Sequence, residues 1–191
     1  MHALTTLILG EVPIIHAASD YTLIRGALEN FATAFWILHP SEGLERVERA
    51  LRWNAKNYYD QEMATANLGL PNYVPLQDNY DKVAAVGARA GCKRKRKGII
   101  GGYTSTEVLK YVDANTPIQP SPHLMWKVCS GFAHGRQWAS FAMNAAEITP
   151  TVETGVKSVR FTSDHKRLLV GGWPAFHLMD EVIRLFNDRA R

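Results

Sequence analysis

Cysteine is scarce in this 191-residue chain, with only Cys92 and Cys129 present. They form no CxxC pair, and no histidine cluster stands near either at metal-ligand spacing, so neither a metal site nor a metal cofactor is expected. A reduced, cytoplasmic protein is the simplest reading, with one disulfide between the two left open. Long apolar runs are also missing. The richest, Phe31 to Leu38, stops at His39-Pro40, well short of the roughly 18 residues of a membrane span. The first residues carry no basic n-region, and Glu11 and Pro13 interrupt their apolar character, so a secretory signal is not expected. Phosphate loops, GxGxxG, HExxH and GxSxG are all absent, which removes the commonest nucleotide, zinc-protease and serine-hydrolase chemistries. Asp113, Asp164 and Asp180 make no paired-carboxylate pattern. No cofactor is implied.

What is present is ordinary globular material. Hydrophobic residues make up 46% and charged residues 21%, enough to build one core, and residues 1–191 are expected to form a single helical domain. The net charge of +4 is local. Arg89, Lys93, Arg94, Lys95, Arg96 and Lys97 fall within nine residues without an acid; taking these six from the 22 basic residues leaves 16 against 18 acidic ones.

Apolar residues at three- and four-residue steps predict a helix over 13–38, preceded at Leu4–Leu9 by a short separate helix or the packed end of one. Ser41 is expected to cap a second helix running to about Asn67. A third spans 76–90, weakened by Gly87. A glycine-bounded basic loop follows at about 91–103. Thr104 and Glu107 form a capping-box pattern for a helix over 105–114. Ser121 with Pro122 opens a long helix to about Glu147. Val156, Val159, Phe161, Leu168, Leu169 and Val170 around Ser163-Asp164-His165 predict a β-hairpin at about 154–172. Pro174 then restarts a helix. The fold class is mainly α: a bundle of five to seven helices with a β-hairpin inserted before the last.

Three places draw chemical interest. In Ser130-Gly131-Phe132-Ala133-His134-Gly135-Arg136, two glycines interrupt a strong helix, each costing about 1 kcal/mol relative to alanine. Ser130 and His134 share a face at i,i+4. One reading is catalytic, with His134 as acid–base, Ser130 orienting it and Arg136 nearby. The other is a core histidine beside a tight helix crossing. It takes precedence because spacing ties no second acid–base group to His134. Arg25 and Glu29 form the second place, an i,i+4 pair among apolar neighbours. They read either as a surface ion pair or as a buried ligand-lining network in which Glu29 accepts from His134. The third is Lys93, Arg94, Lys95, Arg96 and Lys97. They read as a solvated loop or as a clamp for a nucleic-acid backbone, with Tyr80 and Tyr103 alongside.

Leu23–Glu29 and Cys129–Gly135, together with Trp36–Pro40 and Gln137–Ala139, resemble a family of actinobacterial and phage-associated helical-bundle proteins. The pattern is also distantly similar to the HEPN bundles, many of which are metal-independent ribonucleases of toxin and phage-defence systems. In those, an arginine precedes the histidine on one helix, and the two meet RNA in a dimer cleft. Here Lys127 stands upstream of His134, and Arg136 follows it. The first resemblance implies bacterial or phage origin and lends no activity; the expected role is a non-enzymatic interaction or accessory module. The alternative, which the second resemblance implies, is a HEPN-like nucleic-acid-binding protein or metal-independent ribonuclease. The expected partners are a protein, nucleic acid at the basic loop, or a second copy in a homodimer.

Overall fold

A computed structural model describes residues 16–69 and 71–190. The helix expected at Leu4–Leu9 and the start of the next at Pro13 lie outside the described residues. The chain is mainly helical, with the hairpin before the last helix as expected. The described elements are α1 (Ala17–Leu38), α2 (Gly43–Thr65), α3 (Leu76–Ala90), α4 (Arg96–Ile100), α5 (Ser105–Asn115), α6 (Pro122–Ala133), α7 (Gln137–Met143), β1 (Ala145–Pro150), β2 (Lys157–Thr162) and α8 (His165–Arg189). Contacts gather these into two compact units. One comprises residues up to Phe31 with Asn115–Asp180; the other comprises Ala32–Ala114 with Glu181–Arg191.

The first unit is built on Tyr21 and Leu28 of α1. They pack with Met125, Val128, Cys129 and Phe132 of α6, Ala139 of α7 and Ala175 of α8. Tyr21 stacks on Phe132 with ring centroids 4.2 Å apart. A Cβ at Gly171 would lie 2.7 Å from the Tyr21 ring, so the missing side chain there is what seats the tyrosine. Ser121 caps α6 as expected, its hydroxyl accepting from the Leu124 amide at 3.1 Å.

The long helix expected to reach Glu147 is instead broken at residues 134–136. Gly135 takes φ +62. Its amide donates to the Phe132 carbonyl, and the Arg136 amide donates to the Gly131 carbonyl at 2.8 Å. This is a Schellman ending, in which a left-handed glycine lets two late carbonyls find donors. The chain turns and restarts as α7, folding back so closely that a Cβ on Gly131 would sit 2.6 Å from the Ala139 Cβ and 3.0 Å from the Trp138 ring. The two glycines therefore have different tasks. Gly135 supplies the turn, and Gly131 supplies the crossing.

The hairpin lies at 145–162, not 154–172. Ala145, Ala146 and Glu147 favour helix, but they pair antiparallel with β2, Ala146 opposite Phe161 and Ile148 opposite Val159. Asp164, expected at the hairpin turn, is the N-cap of α8: its carboxylate accepts from the Arg167 amide at 2.8 Å. The last helix thus begins at His165, and Pro174 lies inside it.

The second unit has its own cluster of Leu51, Ala55, Val83 and Ile99. Gly87, which weakens α3 locally, is buried where a Cβ would lie 2.8 Å from Ile99 Cδ1. That contact also corrects the basic loop at 91–103, part of which is the short helix α4, held by buried Ile99. Thr104 caps α5 through the Glu107 amide at 3.1 Å. Ser41 does not cap α2. Glu42 occupies that position without a side-chain bond, and the Ser41 carbonyl accepts from Arg46 instead.

Gly131→Ala should destabilise the protein by about 1–3 kcal/mol through overpacking, although alanine is the better helix former. Gly135→Ala should cost about 1–2 kcal/mol for its left-handed φ. Urea melts of the two variants check this, and a stabilised Gly131→Ala would show that α6 and α7 do not cross there.

Candidate functional site

Ser130, His134 and Arg136 are separated by the same bend. Ser130 is half-buried on α6, whereas His134 is the residue that ends the helix and is exposed. Arg136 is exposed and opens α7. Among the described residues no hydrogen bond or ion pair links these three side chains. The reading of His134 as a buried network member is corrected. The His134 amide still donates to the Ser130 carbonyl, so the i,i+4 relation holds, but the helix ends there and the ring is left at the surface.

Glu29 has a different partner. Its Oε1 accepts from Trp126 Nε1 at 2.8 Å and from Arg25 Nη2 at 3.2 Å. The Arg25 guanidinium lies 5.9 Å from the Trp126 ring centre, and His123 stacks against the same indole with centroids 6.2 Å apart. The pair is half-buried. It is neither a free surface salt bridge nor a catalytic triad, but an anchor that fixes an α6 tryptophan to α1. Nearby, burial and then the charge influence of Cys129 push the Tyr21 phenol up to about 12. Burial likewise pushes the Cys129 thiol up to about 12. Both stay protonated at neutral pH, so neither supplies a nucleophile or base. Cys92 and Cys129 are both free thiols.

In the basic segment, the five side chains from Lys93 to Lys97 are all exposed, but they do not behave alike. The Arg94 amide and guanidinium both donate to Glu48 of α2. Arg96 donates to Asp81 of α3 and holds that carboxyl below the usual carboxylate range. Lys93, Lys95 and Lys97 make no ion pair among the described residues.

Sequence reasoning missed a cluster of arginines and aromatics in the second unit. Arg49 lies over Trp36 and Tyr111, 5.1 and 4.3 Å from the ring centres, and Arg52 lies 5.0 Å over Trp36. Both guanidiniums are spent on the fold. Arg49 donates to the Trp36 carbonyl at 2.6 Å and to Glu45; Arg52 donates to the Gly102 carbonyl at 2.8 Å and to Glu107. A cleft of about 350 Å³ opens here, and its arginines Arg49, Arg52 and Arg94 are matched by Glu45, Glu107 and Glu48. The i,i+3 spacing of Arg46, Arg49 and Arg52 was the available signal, but on a helix it reads equally well as a solvated stripe. His39 stacks on Phe35, and its Nδ1 is hydrogen-bonded to the Tyr111 hydroxyl at 2.8 Å.

Also missed was the polarity of the hairpin. Ala146, Ile148, Val159 and Phe161 share one face, while Glu147, Thr149, Ser158, Arg160 and Thr162 share the other. Phe141 of α7 meets Phe161 edge-on at 4.9 Å. This apolar face is open: Phe141 is 47% exposed, Ile148 52%, Val159 37% and Phe161 38%. Among the described residues no group of histidine, cysteine or acidic side chains could hold a metal ion, and no helix is long and apolar enough to cross a membrane. Comparison with protein families, curated proteins and solved structures finds no match to this chain.

Glu29→Ala, which strips the Trp126 indole of its acceptor, should lower stability by about 1 kcal/mol, taken at the low end because the pair is partly solvated. It should also shift the tryptophan emission. His134→Ala should change stability by less than about 0.5 kcal/mol, as for an exposed residue without partners. Equal losses in the two variants would overturn both placements.

His39 makes stability depend on pH. Burial first, then Arg49, Arg189 and Arg184, lower its proton affinity, with Glu181 opposing. The unfolded chain therefore takes up this proton at a higher pH than the folded one, near the ordinary value of about 6.5. The associated stability is complete above that value and is lost as pH falls through the lower folded value. Urea midpoints between neutral and mildly acid pH should decline more steeply for the wild type than for His39→Gln. Parallel declines would mean that His39 does not titrate as described.

Proposed function

We propose that the protein is a non-enzymatic interaction module, of the bacterial or phage kind that its resemblance implies, and that the apolar hairpin face is its contact surface. The observation that carries this reading is the open face itself. A two-stranded hairpin with neither face covered is marginal in water. Here, nevertheless, apolar and polar residues alternate by strand face from Ala146 to Thr149 and from Ser158 to Thr162, and Phe141 extends the apolar side. Such patterning specifies a covered face. Catalysis receives no comparable support, because among the described residues no acid–base side chain is hydrogen-bonded to His134.

The occupant is a second copy of the chain. The centre of the face is uncharged, with Lys157 at its rim beside Pro150. An uncharged apolar surface is complementary to its own image, as a two-fold interface requires. Pairing through the strand edges is disfavoured, because β1 ends in a proline and both strands are short. The contact is small, so the association belongs to the weak end of protein interfaces.

Sedimentation over a concentration series reaching about 100 μM, suited to a weak interface, should show a monomer–dimer equilibrium. Phe161→Asp and Ile148→Asp should abolish it with unchanged circular dichroism, while Arg160→Ala on the opposite face leaves it intact. A chain that stays monomeric throughout, or a dimer indifferent to the Asp variants, sinks the proposal.

A further inference from the structure

The basic segment carries an independent inference in the second unit. We infer that Lys93, Lys95 and Lys97 form a sequence-independent contact for the phosphate backbone of a nucleic acid, while the arginines between them serve as the scaffold that presents these lysines.

The division of labour is geometric. Arg94 turns to Glu48 and Arg96 to Asp81, each tying the segment to a neighbouring helix. The stem of Arg94 also runs over α4, where a Cβ on Gly98 would lie 2.6 Å from Arg94 Cγ. Glycine at 98 lets that arginine lie flat. Around these anchors the three lysines stay exposed, with no carboxylate partner among the described residues. The segment is thus held in place while its alternate cations remain available. A merely solvated loop requires no such anchoring.

The surroundings select the class of ligand. Glu42, Glu45 and Glu48 line one groove together with Lys93 and Arg94, so that groove is not a pocket for a small anion. A lone small anion would have no enclosed cradle there. A polyanion gains from several lysines at once through release of its counterions. An apolar wedge beside the cations strengthens membrane binding, and no large apolar side chain of residues 87–123 is exposed. A contact made through flexible point charges positions the backbone and does not read sequence.

The test is fluorescence anisotropy with labelled RNA and DNA of about 20 nucleotides, single- and double-stranded, between about 50 and 200 mM salt. Binding should be present at the low end and weaken steeply at the high end. The K93A/K95A/K97A variant should keep its melting temperature and lose most of its affinity. On duplex DNA, its slope of log affinity against log salt should fall by up to roughly 2.7, about 0.9 for each phosphate no longer neutralised. The R94Q/R96Q variant should lower the melting temperature and change the slope less than the lysine variant does. No binding at low salt would overturn the inference, as would an unchanged slope in the lysine variant. So would phosphatidylserine vesicles that bind more tightly than nucleic acid and displace it. None of these outcomes depends on whether the hairpin face dimerises.

Discussion

A helix that stops leaves its last carbonyl oxygens without donors, and in the second unit arginines answer those at the end of α1 and of the turn that follows it. Arg49 donates to the Trp36 carbonyl. Arg46 takes those of Pro40 and Ser41, and Arg189 reaches the carbonyls of Leu38, His39 and Pro40. Unanswered carbonyls at a packed helix end are costly, and charged donors are the strongest remedy. Positive charge at a helix C-terminus is also favoured by the dipole. Once Arg49 is fixed in this way, it covers Trp36 and Tyr111, and it contributes to keeping His39 neutral. Much of the local chemistry follows from one unmet hydrogen-bonding requirement.

That requirement also separates the two kinds of cation. Arginine, with its planar fork of donors, is used where carbonyls and carboxylates must be bridged. In the second unit Arg46, Arg49, Arg52, Arg94, Arg96 and Arg189 are all engaged this way. Lysine, a flexible point charge, is left at the surface in the basic segment. A charge count treats the two alike, which is why five neighbouring basic residues look uniform in the sequence and divide into anchors and free groups in the fold.

Much of the helical framework was legible because its signals are local. Ser121 with Pro122 opens α6 where expected, and Thr104 opens α5, because a cap depends on residues only a few positions away. The hairpin register was not legible. Ala145-Ala146-Glu147 prefers helix, and only pairing with β2 makes it a strand. Leu168-Leu169-Val170 resembles a strand, yet it lies in a helix that Asp164 starts. His134 was misplaced for a related reason. The spacing puts it on the face of Ser130, but spacing does not show that the helix ends at that residue, at the surface, because a left-handed glycine follows. The Glu29–Trp126 bond joins residues 97 positions apart, and no spacing rule reaches that far. The expectation of a charged pair needing partners was sound; the identity of the partner was a tertiary fact.

The crossing of α6 and α7 bears on how this fold can vary. Gly131 has no side chain to lose, and Ala139 opposite it can shrink only to glycine. The two positions together sit at nearly the smallest volume that protein chemistry offers. Drift in either direction is blocked: enlargement forces the helices apart, and the only reduction left weakens α7. The corner therefore tolerates a change of volume in neither direction, and the course of the chain from α6 through α7 into the hairpin depends on it.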